Sequence, residues 1–129
     1  MVSVLLGLLL WQSSQAPQSL QKTHHQLGVE LYKKGELQGA QQELASAISE
    51  NPSDREAVQL RGLALFSLGR PTEAIPLLKQ VQSWTPQATV ESAYALALAY
   101  IQTQNYEDAR KQAALMYSVP ADSAAARRA

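Results

Sequence analysis

Cysteine is missing altogether from the 129 residues, which excludes a disulfide framework, a thiolate metal site and a cysteine nucleophile. Neither sign of charge prevails, since eleven lysines and arginines balance eleven aspartates and glutamates. A chain so balanced lacks the net basic face that captures nucleic acid, and no nucleic-acid partner is expected. Aromatic residues are scarce at 6%, and with them goes much of the usual material of a β-sheet. The glycines are scattered, so there is no phosphate-cradling loop, and no serine stands in a nucleophile elbow. What remains is 46% hydrophobic and rich in alanine, leucine and glutamine. That suits one helical domain with a packed core.

The first segment differs from the rest. Val2 to Trp11 is apolar except for Ser3 and Gly7, and a polar, glutamine-rich stretch follows. The run is shorter than the ~20 residues that a spanning helix needs. It fits the apolar region of a signal peptide, and Ser14-Gln15-Ala16 has the small-x-small form of a cleavage site. Against this, no lysine or arginine precedes the run, and Pro17 would follow the scissile bond. Residues 1–20 therefore read as a signal peptide or short membrane anchor with a polar linker. The alternatives are an artefact of the start site or an apolar helix packed on the domain.

Beyond residue 20 the pattern is helical, and it repeats. Gly28 recurs as Gly62, Gly35 as Gly69, Ala40 as Ala74 and Pro52 as Pro86, each 34 positions on. A third copy follows with one inserted residue, through Ala97 and Ala109, and Pro120 restores the offset from Pro86. A fixed period of this length means stacked supersecondary units. Helices are expected over 21–34, 38–50, from the capping-box spacing Ser53-Asp54-Arg55-Glu56 to 68, from Pro71 onward, over 88–103 and over 106–118. Gly35 and Gly69 should end the first and third helices in the left-handed conformation. Gln104 stands where the third turn glycine would be. Pro76 should cost the fourth helix one backbone bond or bend it. No segment alternates with period two, so the domain should be all-α.

These residues resemble the tetratricopeptide repeat family, whose unit is a 34-residue helix-turn-helix. Repeat 21–54 matches through Leu27, Gly28, Leu31, Ala40, Leu44, Ala47 and Pro52, and repeat 55–88 through Gly62, Leu65, Ala74, Leu78 and Pro86. Repeat 90–121 matches through Leu96, Ala97, Tyr100, Tyr106 and Ala109. Arg61, Val81, Ala113 and Met116 depart from the pattern. The resemblance implies an all-α, right-handed α-solenoid of three repeats. Residues 122–129 then read as the start of a capping helix, with Asp122 as N-cap, or as a truncated fourth repeat.

The resemblance also implies a function. In the family the first helix of each unit lines a concave groove that holds protein partners. The groove residues here would be His25, Val29, Tyr32 and Lys33, then Gln59, Leu63 and Phe66, then Tyr94, Leu98, Ile101 and Gln102, with Lys22, Glu56 and Glu91 beside them. The centre of this stripe is apolar and its rim is charged, which suits an amphipathic helix or an extended apolar peptide. Where the repeats that clamp chaperone C-termini carry lysine and asparagine, His25 and Val29 stand instead, so that specialisation is not implied. His24 is expected on the stripe facing the paired helix and His25 at the surface of the groove. Neither has the partners of a metal site at helical spacing.

The expected function is a non-catalytic scaffold or adaptor for a protein or peptide partner, without cofactor or metal, and self-association remains open. The expected location is exported or periplasmic in a bacterium, with membrane association through residues 2–11, or cytoplasmic if the leader is not a signal. The alternative is a fragment or accessory repeat domain of a larger enzyme or of a secretion or envelope-assembly system.

Overall fold

The computed structural model describes residues 21–84 and 90–117. Among them are six helices and no strand: α1 (His24–Lys33), α2 (Leu37–Glu50), α3 (Arg55–Ser67), α4 (Pro71–Trp84), α5 (Val90–Gln102) and α6 (Tyr106–Tyr117). The chain is thus an all-α helical-repeat solenoid, as the 34-residue period requires. Residues 1–20, expected as a signal peptide or anchor, Pro86, Pro120 and residues 122–129, expected as the start of a capping helix or a truncated repeat, lie outside the described residues. No described helix is long and apolar enough to cross a membrane.

Each turn inside a repeat is built the same way. The amides of Gly35 and Glu36 donate to the carbonyls of Tyr32 and Leu31. Gly69 and Arg70 do the same to Phe66 and Leu65, and Gln104 and Asn105 to Ile101 and Tyr100. This paired bonding closes the orphan carbonyls at a helix end and places its central residue at positive φ. Gly35 (φ 79°) and Gly69 (φ 75°) adopt that conformation freely. Gln104 adopts it too, at φ 63°. The third turn has lost its glycine but not its shape.

Two helix starts differ from the expectation. α1 begins at His24, three residues later than periodicity suggests, because Thr23 and Gln26 form a full capping box. The Gln26 amide donates to the Thr23 hydroxyl, and the Thr23 amide donates to the Gln26 side chain. α3 is capped by Asp54, not Ser53: the Ala57 amide donates to the Asp54 carboxylate at 3.2 Å. The Ser53 amide instead donates to Asn51 Oδ1, which turns the chain after α2. In α4, Pro76 costs one backbone bond, as expected, and the helix nevertheless runs on to Trp84. Pro76 and Thr72, whose carbonyl loses its amide partner, are both exposed, so water can serve that carbonyl.

Packing fixes the layers. Each helix packs on the next, and α1 and α2 run antiparallel, so that His24 at the start of α1 meets Glu50 at the end of α2. Beyond that, the backbones of α1 and α3, and of α3 and α5, approach closely, whereas those of α2, α4 and α6 stay apart and α4 meets α6 through the Gln82–Gln112 side-chain hydrogen bond. The first helices therefore form the closer, inner layer. Gly28 and Gly62 allow the pairs to approach, each lying under a leucine of the partner helix, Leu44 and Leu78 respectively. One apolar cluster centres on Ala40, Leu44, Ala47 and Ala57, the other on Leu63, Leu65, Leu78, Leu96 and Tyr100. Tyr32 packs against both and so joins the first repeat to the second. The departures from the family pattern are accommodated: Val81 is buried, while Arg61 is half-buried and its Nε has no hydrogen-bond partner.

Candidate functional site

The expected groove residues fall into three groups. His25, Val29 and Lys33 are spaced one turn apart on α1 and come together. With Gln26, Glu30, Lys34 and Glu56 they line an open depression of about 470 Å³ at the N-terminal end of the array. Lys22 stands beside it, donating to Glu30, which also accepts from Lys34 Nζ at 3.1 Å. These two lysines hold the Glu30 carboxyl below its ordinary pKa, Lys22 contributing most. Lys33 is exposed and forms no ion pair among the described residues.

The middle group is covered. Leu63 is only 6% exposed and belongs to the core, which corrects the expectation that it offers itself to a partner. α3 is flanked by α1 on one side and α5 on the other, so the inner stripe of the central helix is shared with its neighbours. Phe66 and Tyr32 are half-buried against the core for the same reason. Gln59 is half-buried as well.

The third group is open. Tyr94 is 56% and Ile101 48% exposed, two turns apart on α5, with half-buried Leu98 between them and exposed Gln102 beside Ile101. The side chain of Glu91 lies outside the described residues. Among the described side chains, the inner face is therefore charged at the α1 end and apolar at the α5 end.

Both histidines turn out to be engaged. His24 Nδ1 lies 2.6 Å from Glu43 and its Nε2 3.5 Å from Glu50, both on the paired helix α2, and the side chain stays nearly half exposed. His25, expected as a surface residue of the groove, bridges to α3, the first helix of the next repeat, through its N-cap Asp54 (2.6 Å, Nδ1) and through Glu56 (2.8 Å, Nε2). The Asp54 hydrogen bond raises the His25 pKa above its ordinary 6.5, burial works against it, and Glu56 adds to the rise. For His24 the hydrogen bond to Glu43 is the main cause of a similar rise. Sequence reading missed these links because they depend on stacking. The signal available was topological: in an up-and-down array, carboxylates closing α2 and opening α3 arrive at the end where α1 begins. Arg55 over the Trp84 ring, 5.6 Å from its centroid, is a second contact of this kind.

Among the described residues, no group of three or more histidines or carboxylates could hold a metal ion.

Three helix pairs in register, the first helix of each lining an inner face, define a helical-repeat protein. Two tetratricopeptide repeat family models match the sequence, one over residues 25–89 and one over 65–128, and the chain belongs to that family. Its repeats are generally modules of protein–protein interaction and typically non-catalytic. A comparison with curated proteins finds no match.

Proposed function

We propose that the chain is a non-catalytic scaffold that holds a peptide or helix of a protein partner along the inner face of its repeats. The supporting observation is the α5 end of that face, where Tyr94 and Ile101 stay exposed on either side of Leu98. Large apolar side chains grouped on one exposed face gain nothing for the fold and mark a contact surface. The test is crosslinking with mass spectrometry in the native cell, comparing the parent chain with a Tyr94→Glu/Ile101→Glu variant. Crosslinks to a partner should disappear in the variant while helicity by circular dichroism stays unchanged. Leu115→Glu, at an exposed site on α6 in the outer layer, should leave them in place. Crosslinks that survive the double substitution would put the contact elsewhere.

We further propose that the protein acts outside the cytoplasm, attached to a membrane or released from it. The apolar run Val2–Trp11 and the Ser14-Gln15-Ala16 sequence support this. N-terminal sequencing of the expressed chain tests it, with a mature start at Pro17 expected. Chains beginning at Met1 in a soluble cytoplasmic fraction would overturn it.

A further inference from the structure

Three helix ends meet at the N-terminal end of the array: the start of α1, the end of α2 and the start of α3. His24 and His25 stand there side by side and serve different neighbours. His24 holds α1 to α2 within the first repeat, through Glu43 and Glu50. His25 holds α1 to the second repeat, through Asp54 and Glu56. A neutral imidazole carries one N–H, and its other nitrogen is an acceptor. With carboxylate oxygens at 2.6 and 2.8 Å from the two ring nitrogens of His25, a neutral ring would turn a lone pair onto one of them. Only the imidazolium, with two donors, satisfies both.

We propose that His25 is a proton-operated latch between the first and second repeats, closed by the imidazolium and released when the ring gives up its proton. Asp54 makes the latch specific. One carboxylate oxygen caps α3 through the Ala57 amide, and the other takes the His25 N–H. Release therefore leaves α3 capped while freeing α1. The remaining contact of α1 with α3 is narrow beside its contact with α2, so the ionic link weighs in how firmly the first repeat stacks.

The charged groups around His25 are few. Asp54 and Glu56 face it from α3 and its cap, and Glu30, Lys33 and Lys34 of its own helix line the same depression. From α2, Glu43 and Glu50 are turned to His24 instead. Since His25 and Glu56 form part of the wall of that depression, release reshapes one end of the inner face. The bearing on a partner rests on the groove reading, whereas the latch itself is tested without any partner.

The experiment uses the full chain. Histidine ring signals are titrated by NMR, and amide exchange of residues 24–33 is followed across the same pH range, corrected for the intrinsic exchange rate. His25 should titrate above 6.5, and α1 should lose protection relative to α3 as it does so. Because His24 also titrates on α1, the comparison is made in a His24→Gln background, where the step should be retained. Adding Asp54→Asn/Glu56→Gln keeps a capping side chain at position 54 but removes both charges, and should abolish the step. The proposal is overturned if α1 protection stays flat through the His25 titration in His24→Gln. It is equally overturned if the step survives when Asp54→Asn/Glu56→Gln is added to His24→Gln. Failure of the Tyr94 and Ile101 variants to affect a partner would leave the latch untouched.

Discussion

Leu44 occupies the space that a side chain at Gly28 would need: a Cβ there would lie 2.6 Å from both Cγ and Cδ2 of Leu44, and 3.2 Å from its backbone nitrogen. At Gly62 the approach to Leu78 is looser, at 2.9 Å, and every close atom belongs to a side chain. Overpacking costs about 1–3 kcal/mol, while alanine gains about 1 kcal/mol over glycine within a helix. Gly28→Ala should therefore destabilise by about 1–2 kcal/mol, because the Leu44 backbone cannot step aside. Gly62→Ala should come out near neutral. Urea denaturation of the two variants checks the order.

Gln104 holds a conformation that costs an L-residue roughly 1–2 kcal/mol. Glycine removes that strain but gives back roughly 0.5–1 kcal/mol in chain entropy. Gln104→Gly should raise stability by about 0.5–1 kcal/mol, seen as a higher Tm. A lower Tm would mean that the glutamine side chain contributes more than its backbone costs.

The cap of α3 distinguishes neighbouring residues. Asp54→Ala removes both the Ala57 cap and a His25 partner and should cost about 1 kcal/mol or more. Ser53→Ala leaves the Asn51 contact intact, since that bond uses the Ser53 backbone amide. It should stay within about 0.5 kcal/mol of the parent. Thermal denaturation of the pair decides between the two capping assignments.

Leu63 and Tyr94 stand on first helices of successive repeats yet should behave oppositely. Leu63→Ala opens a cavity in the core and should cost about 2–5 kcal/mol. Tyr94→Ala touches an exposed ring and should stay within about 0.5 kcal/mol. Equal effects on denaturation would mean that α5 is covered as α3 is.

Stability should depend on pH in a direction that the ion pairs fix. His24 and His25 have pKa values raised above 6.5, so their contribution is complete below 6.5 and is lost as pH climbs through the folded values. Glu30 and Glu73 are held below 4.5 by lysine and arginine partners, so theirs is complete above 4.5 and is lost as pH falls through the folded values. From these four groups, the most favourable interval is between about 4.5 and 6.5. Melting curves across pH 3–9 should peak there and flatten on the alkaline side in a His24→Gln/His25→Gln variant.

Much of the fold is legible in the sequence because its cause is local. Gly35 and Gly69 announce their turns, and the spacing of Gly28 with Leu44 returns as Gly62 with Leu78. Thr23-x-x-Gln26 has the spacing of a capping box just as Ser53-Asp54-Arg55-Glu56 does, and only the first forms one. The groove was less legible because neighbours decide it. Leu63 and Tyr94 sit in similar helical patterns, but α3 is flanked on both sides and α5 touches only one described first helix. The histidine links were not visible in one dimension, since Asp54 lies 29 residues beyond His25 and meets it only through stacking.

The layering of the helices has a mechanical consequence. Successive first helices approach backbone to backbone, while the second helices α4 and α6 meet through the side chains of Gln82 and Gln112, so the repeats are bound together like pages at a spine. A tug that spreads the outer margins must break polar side-chain contacts of that kind, whereas one that parts the inner edge must break apolar contacts. A guest gripped along that edge would stiffen the whole array, and the array's softest mode would be a gentle opening and closing of the book.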